Sequence, residues 1–321
     1  MEPRKLRVAA VQMISENGEV ESNLRRATRL VEEAARAGAK LVVLPELFSG
    51  GYWLCEKAWD TAEPQDGRTE MWLCKTAARL GLYLGGSYLL ARGEDFFNVF
   101  ALASPAGRIV GRVPKQKPGS VEAYLFRGQE SPHIIETELG RIGVGICYDN
   151  AFRFLADALI AGDADILLMS FSAPTPQETW YYPRKSIEAY LASYRHGASN
   201  YARLLGIPAI QVNKCGPWKS EMPAFFPAQD SKFDGQSEIA DSTGEVLAEL
   251  ADQEAVIVGD ITLNPACKVR KLPDEAARWG RWIAPVPKDF KIFWIIEALG
   301  RRWYAKSKRR REKARDVSSR K

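Results

Sequence analysis

Cys147 ends the run Gly143-Val144-Gly145-Ile146-Cys147-Tyr148-Asp149, and a thiol at the carboxyl end of a buried strand is placed to act as a nucleophile. Ile142, Val144 and Ile146 alternate with glycines, the pattern of a buried strand that other backbone approaches closely. A free cysteine more often packs as a small hydrophobe, so one segment does not decide the matter. Two others offer reactive groups at strand ends. Lys40-Leu41-Val42-Val43-Leu44-Pro45-Glu46 is a near-continuous apolar run with a carboxylate at its exit. Ile109-Val110-Gly111-Arg112-Val113-Pro114-Lys115 delivers an ammonium group in the same way, with Lys117 as a rival on the same strand face. A thiol attacks as the thiolate, and with His133 and His196 the only histidines a carboxylate must take its proton. Glu46 in a water-poor site would have its pKa raised toward neutrality and would serve as base and then as acid. Lys115 would stabilise the negative charge that develops.

The elements that must position these groups read as an α/β protein. A strand at 6–13 is followed by a helix opening near Ser22 and stopping at Gly38, then by the strand at 40–44, a β-α-β unit. A helix over 69–80 precedes a strand at 82–90, and Ser104-Pro105-Ala106-Gly107 turns a hairpin between 98–103 and 108–113. After Cys147 the periodicity predicts a helix over 152–161, a strand at 166–169, one helix over 186–205, and strands at 208–212 and 256–261. The polar and aromatic stretch 172–182, with Trp180 and Tyr181, has the composition of a loop that covers a pocket or meets another subunit. Together with 50–57, which holds Trp53, it is the expected source of pocket-lining residues, and these aromatics suit an apolar acyl group.

Composition removes several alternatives. Five cysteines without a Cys-x-x-Cys pair speak against a disulfide framework or a zinc site, and neither phosphate-loop nor dinucleotide glycine signatures occur. No metal and no cofactor is expected. The apolar stretch from Val8 ends at Gln12, too short for the core of a signal peptide, and a cytoplasmic protein is expected. Residues 301–321 hold eleven Lys or Arg against Glu312 and Asp316, a net of +9 in a chain of +5, so the body is mildly acidic. No nucleic-acid partner is expected from a basic character confined to one end.

With these residues in this order, the chain resembles the nitrilase-type carbon-nitrogen hydrolases from about Leu6 to about Asp260. The matching blocks are Leu44-Pro45-Glu46 followed by Gly51-Tyr52, Asn98 ahead of the hairpin to Lys115, the run ending Cys147-Tyr148-Asp149, and Glu122 with Phe126 before Gly128. The resemblance implies a four-layer α-β-β-α sandwich and a Glu-Lys-Cys triad of Glu46, Lys115 and Cys147. Lys115 stands seven residues before Glu122, the family's spacing, and Lys117 only five. It further implies a thioester formed from a small amide, an oxyanion held by Lys115 and the Tyr148 backbone N–H, and a Glu122 that holds the lysine or the substrate. Tyr52 and Asn150, within or beside the matching blocks, are the other expected substrate-side positions. Two departures are visible: Ala151 stands where many members carry arginine, with Arg153 two positions on, and Cys-Tyr-Asp is closer to the amidase and carbamoyl-amide branches than to true nitrilases. Nitrile hydrolysis and acyl transfer from the thioester are the alternatives within the family. An inactive scaffold or surface adaptor is the alternative outside it.

Residues 1–265 are therefore expected to form the hydrolase domain and 266–321 an extension. From 289 onward, Ile292, Ile295-Ile296, Leu299 and Trp303 form an apolar helical stripe that runs into the cations. The stripe is expected to pack on the body or on a second copy in a homo-oligomer, with the basic end solvated. Peripheral attachment to an anionic membrane surface through 289–321 is the other reading.

Overall fold

Two-residue alternation on the strands sends apolar side chains to both faces of two sheets, so each sheet is covered on both sides. The computed structural model describes residues 2–178, 183–224, 226–288 and 290–320. In chain order the strands are β1 (Arg4–Gln12), β2 (Leu41–Val43), β3 (Tyr83–Arg92), β4 (Asp95–Ala103), β5 (Ile109–Pro114), β6 (Ile134–Thr137) and β7 (Gly140–Ile146). Then come β8 (Ile166–Ser170), β9 (Ala209–Val212), β10 (Cys215–Ser220), β11 (Gln229–Asp234), β12 (Glu238–Ala240), β13 (Val246–Glu249) and β14 (Ala255–Leu263). The helices are α1 (Val20–Arg36), α2 (Arg68–Leu80), α3 (Arg153–Ala161), α4 (Arg184–Tyr194), α5 (Gly197–Leu205), α6 (Phe290–Lys306) and α7 (Lys308–Ser318).

One sheet runs β14-β1-β2-β3-β4-β5 and the other β13-β12-β9-β8-β7-β6. Each has a parallel triplet at its centre, β1-β2-β3 and β7-β8-β9, with antiparallel strands outside it. Val8 and Ala10 of β1 meet Ile142, Val144 and Ile146 of β7 in the core between the sheets. Ala9 and Val11 face the other way, onto α1 and α2. Leu155 and Leu159 of α3 and Ala198, Ala202 and Leu205 of α5 cover the outer face of the second sheet. The layers are α-β-β-α, as expected. The glycines of β7 serve this packing: a Cβ on Gly143 would lie 2.1 Å from Leu159, and one on Gly145 would meet Asn150 and Leu155. The close approach comes from side chains of the helix side and not, as expected, from backbone.

Three further expectations need correction. The helix over 186–205 is broken into α4 and α5, because His196 adopts φ 58° in the left-handed region. The break is stabilised from outside: buried Glu238 of β12 accepts from the Ser199 N–H at 2.6 Å and faces His196 Nδ1 at 3.0 Å, a carboxylate at the start of α5. The hairpin β10–β11 was not expected at all. The C-terminal stripe is corrected in one half only: Ile292, Ile295, Leu299 and Trp303, with Trp294, are exposed and do not pack on the body of their own chain, while Ile296 is partly buried.

The opposite face of α6 does the packing. Phe290 and Tyr304 are buried, Phe293 and Ile296 partly so, and at Gly300 a Cβ would lie 2.8 Å from Tyr124 and 2.9 Å from Ala123. The basic end is likewise bound and not simply solvated. Arg310 is buried with a guanidinium contact to Asp95 at 2.6 Å, Arg309 pairs with Glu56 at 2.8 Å, Lys313 pairs with Asp60 at 2.7 Å, and Arg315 pairs with Glu94. Ala314 and Val317 of α7 join a core cluster with Trp59 and Phe96.

Candidate active site

The carboxyl ends of the two parallel triplets open at the same end of the sandwich, and side chains stitch them together. β2 leads into Glu46, β7 into Cys147, and β8 into Ser172. The Glu46 N–H donates to the Phe171 carbonyl at 3.2 Å, and the Ser172 hydroxyl donates to the Glu46 carbonyl at 2.7 Å. The glutamate is thereby fixed to both sheets.

Donors converge on its carboxylate. Oε1 accepts from Lys115 Nζ and from Asn98 Nδ2, each at 2.7 Å, and Oε2 accepts from the Ser172 N–H at 2.7 Å. Lys115, buried at the end of β5, also donates to Glu122 Oε1 at 2.9 Å. Burial alone would lower the lysine's pKa, but Glu122 and Glu46 outweigh it and hold the ammonium charged. An ammonium has three donors, and two are directed at carboxylates, which leaves one for a substrate oxygen. Lys117 is exposed, and its N–H donates to Asp149 Oδ1 at 2.8 Å, so of the two rival lysines it is Lys115 that joins Glu46.

Glu122 is held from three sides. It accepts from Lys115, from the Tyr52 hydroxyl at 2.8 Å and from the Gly119 N–H at 2.6 Å. Burial pushes its pKa up, with Lys115 opposing. Tyr52 is thus committed to Glu122 while its ring lines the pocket.

Cys147 takes φ 48° where β7 breaks into a short turn, a strained position for a non-glycine residue. Asn150 Nδ2 donates to the Cys147 carbonyl at 2.9 Å and its own carbonyl accepts from the Tyr201 hydroxyl at 2.7 Å, so Asn150 braces the turn. Burial and then Glu46 push the thiol's pKa well up, with Lys115 opposing. The resting group is a thiol beside a carboxylate that can accept its proton. Tyr148 packs its ring on Phe152 and Phe290, with centroids at 4.9 and 5.6 Å.

Above the thiol lies a cavity of about 570 Å³. Its lining includes Lys115, Glu122, Cys147, Tyr52, Tyr148 and Asn150, all but Glu46 of the site residues expected from sequence. Leu54 and residues 172–174 and 176–177 also line it, as expected of the two loops, while Trp53 does not; Trp180 and Tyr181 fall outside the described residues. Two contributions went unread. Phe290, Phe293 and Ile296 of α6 form one wall. Lys214, fully buried behind Glu46, donates to the Leu47 carbonyl at 3.1 Å, and burial pulls its pKa down to about 7. Lys214 follows β9 as Glu46 follows β2, so the strand-end signal was there to find it.

Among the described residues, one group has metal-ligand types close together: His196, Glu238 and Glu249, with ligand atoms within 4.8 Å. Glu238 is already spent on the start of α5. No helix among the described residues is long and apolar enough to cross a membrane.

A family model of carbon-nitrogen hydrolases matches residues 7–271. An N-carbamoylputrescine amidase of Arabidopsis thaliana is 28% identical over 306 residues, 92% of this chain and 97% of that protein. The omega-amidase NIT2 of Xenopus tropicalis is 28% identical over 279 residues, 83% and 92% of the two chains. In structure the chain is similar to a carbon-nitrogen hydrolase of Helicobacter pylori, with a TM-score of 0.69 at 20% identity over 86% of this chain and 94% of that one. It is also similar to an amidase of a Nesterenkonia species, with a TM-score of 0.62 at 21% identity over 80% and 90%.

Proposed function

The chain belongs to the carbon-nitrogen hydrolase family, and on that premise we propose that it hydrolyses an amide or N-carbamoyl amide through a thioester on Cys147. The observation that supports this most is the placing of Glu46, Lys115 and Glu122 in one buried hydrogen-bonded group beside the Cys147 thiol. The Cys147 proton passes to Glu46 as sulfur bonds to the carbonyl carbon. The third donor of Lys115 and the Tyr148 backbone N–H receive the oxyanion. The tetrahedral intermediate collapses with loss of the C–N bond, and Glu46 returns the proton to the leaving amine. Water then gives a proton to Glu46 and its oxygen to the acyl carbon, and the thiol is restored when the C–S bond breaks. Glu122 is a positioning residue in this scheme, since it touches Lys115 and Tyr52. Asn150 is another, because it holds the Cys147 carbonyl.

A panel of carboxamides, N-carbamoyl amines and nitriles, assayed for ammonia and for the acid product, tests the reading. Ammonia with acid from amides is the expected result; turnover of nitriles alone, or transfer of the acyl group to an added amine without acid formation, would replace it. N-Carbamoylputrescine, named for the plant relatives, carries a free ammonium group, and the described pocket lining offers no acid beyond Glu122 to receive it. That molecule is a comparison substrate and not the expected one.

Residues 266–321 complete the 1–265 body in this reading and do not form a separate unit. The exposed face of α6 is assigned to a second copy of the chain, because four of the eleven cations that would draw it to lipid, the buried Arg310 among them, are paired with Glu56, Asp60, Glu94 and Asp95 of its own body. Light scattering should find a dimer or larger, and Trp303→Glu should move it toward monomer. A monomeric full chain that binds phosphatidylserine vesicles in a salt-sensitive way would transfer the face to a membrane.

A further inference from the structure

The pocket differs from its surroundings in carrying almost no usable charge. Among its described lining residues only Lys115 and Glu122 are of basic or acidic type, and each is already bonded to the other and to Glu46 or Tyr52. Away from the thiol the walls are apolar: Phe171, Leu204, Val286, Phe290, Phe293 and Ile296. A substrate carboxylate or ammonium placed there would lose its hydration and find no free opposite charge among the described lining residues, only neutral groups such as Gln177, Asn200 and Gln229.

We propose that this site takes primary amides whose substituent is a long, uncharged aliphatic or aryl group, with the chain lying along the α6 wall. The proposal rests on the amidase reading of Cys147 and narrows its substrate class. A cavity of about 570 Å³ is far larger than acetamide needs, and a small polar amide would leave most of the apolar wall facing water. Each methylene buried against it is expected to raise kcat/KM about fourfold.

The test is a series of acetamide, butanamide, hexanamide, octanamide and decanamide, with 6-aminohexanamide and adipamic acid as charged counterparts of similar length. Octanamide should exceed acetamide by roughly a hundredfold or more, and the two charged amides should fall at least tenfold below hexanamide. Phe293→Ala should shrink the octanamide-to-acetamide ratio severalfold. Calorimetric binding of the same amides to Cys147→Ala separates the two layers of the argument. Tighter binding of octanamide than acetamide without turnover by the wild-type chain would sink the amidase reading alone. Turnover in which acetamide matches octanamide, or a charged amide surpasses hexanamide, would overturn the apolar class and leave the amidase reading standing.

Discussion

Cys147→Ala is expected to reduce amide turnover by a factor of roughly 10⁵ to 10⁶, the scale on which removing a covalent nucleophile acts, while the thermal midpoint moves by no more than a few degrees. The Ser172 N–H that interacts with the thiol also donates to Glu46 Oε2 at 2.7 Å, so that segment keeps its anchor in the variant, and alanine pays about the same strain at φ 48° as cysteine does. The accompanying labelling experiment needs care. Burial pushes Cys55 up to about 11 and Cys215 up to about 12, and Cys147 is pushed up as well, so no thiolate among these three is favoured at neutral pH. Cys267 is exposed and will take iodoacetamide simply through access. The diagnostic quantity is therefore the label that tracks loss of activity and that a bound amide protects. If inactivation followed modification of Cys267 or Cys215, the assignment of the nucleophile would be wrong.

Glu46→Gln is expected to cost about three to five powers of ten in kcat, because in the proposed mechanism the same carboxylate handles every proton in both half-reactions and each such role is worth roughly 10² to 10⁴. The amide side chain is nearly isosteric, yet the native oxygens both accept, from Lys115 and Asn98 on one side and from Ser172 on the other. The new NH2 must face one of those donors, so a modest fall in thermal midpoint is expected with the loss of rate. Lys115→Ala is a different experiment. It strands Glu46 and Glu122 as two buried carboxylates without their shared cation, and breaking such a group costs about 3 to 5 kcal/mol. Stability and activity should fall together there, whereas Lys117→Ala should behave like wild type. An inactive Lys117→Ala beside an active Lys115→Ala would refute the assignment of the lysine.

The parts of this site that local pattern could reveal were those carried by strand exits. Glu46, Lys115 and Cys147 each follow an apolar run, and the folded chain brings all three exits together because both parallel triplets point the same way and β5, two antiparallel steps from β3, runs in that direction too. Lys214 carried the same signal after β9 and was passed over because a buried lysine between an asparagine and a cysteine has no pattern of its own. The break at His196 was illegible for another reason: its cause, Glu238, arrives from β12 forty-two residues later. Helix α6 shows the limit of periodicity most directly. Its sequence is apolar on two faces, Ile292-Ile295-Leu299-Trp303 and Phe290-Phe293-Ile296-Gly300, and spacing identifies a stripe without saying which one meets the body. The inner stripe prevailed because it presents Gly300, the small residue that lets the helix come down on Ala123 and Tyr124 beside Glu122.

That two-faced helix ties the chemistry to whatever touches the outside of the protein. A chain of methylenes lying on Phe293 and a neighbour seated on Ile295 and Leu299 press on opposite sides of the same helix. If filling one side changes the affinity of the other, linkage requires the effect to be equal in both directions. Substrate would then tune association by the same factor that association tunes substrate binding, and the concentration of the enzyme would become a variable in its own selectivity.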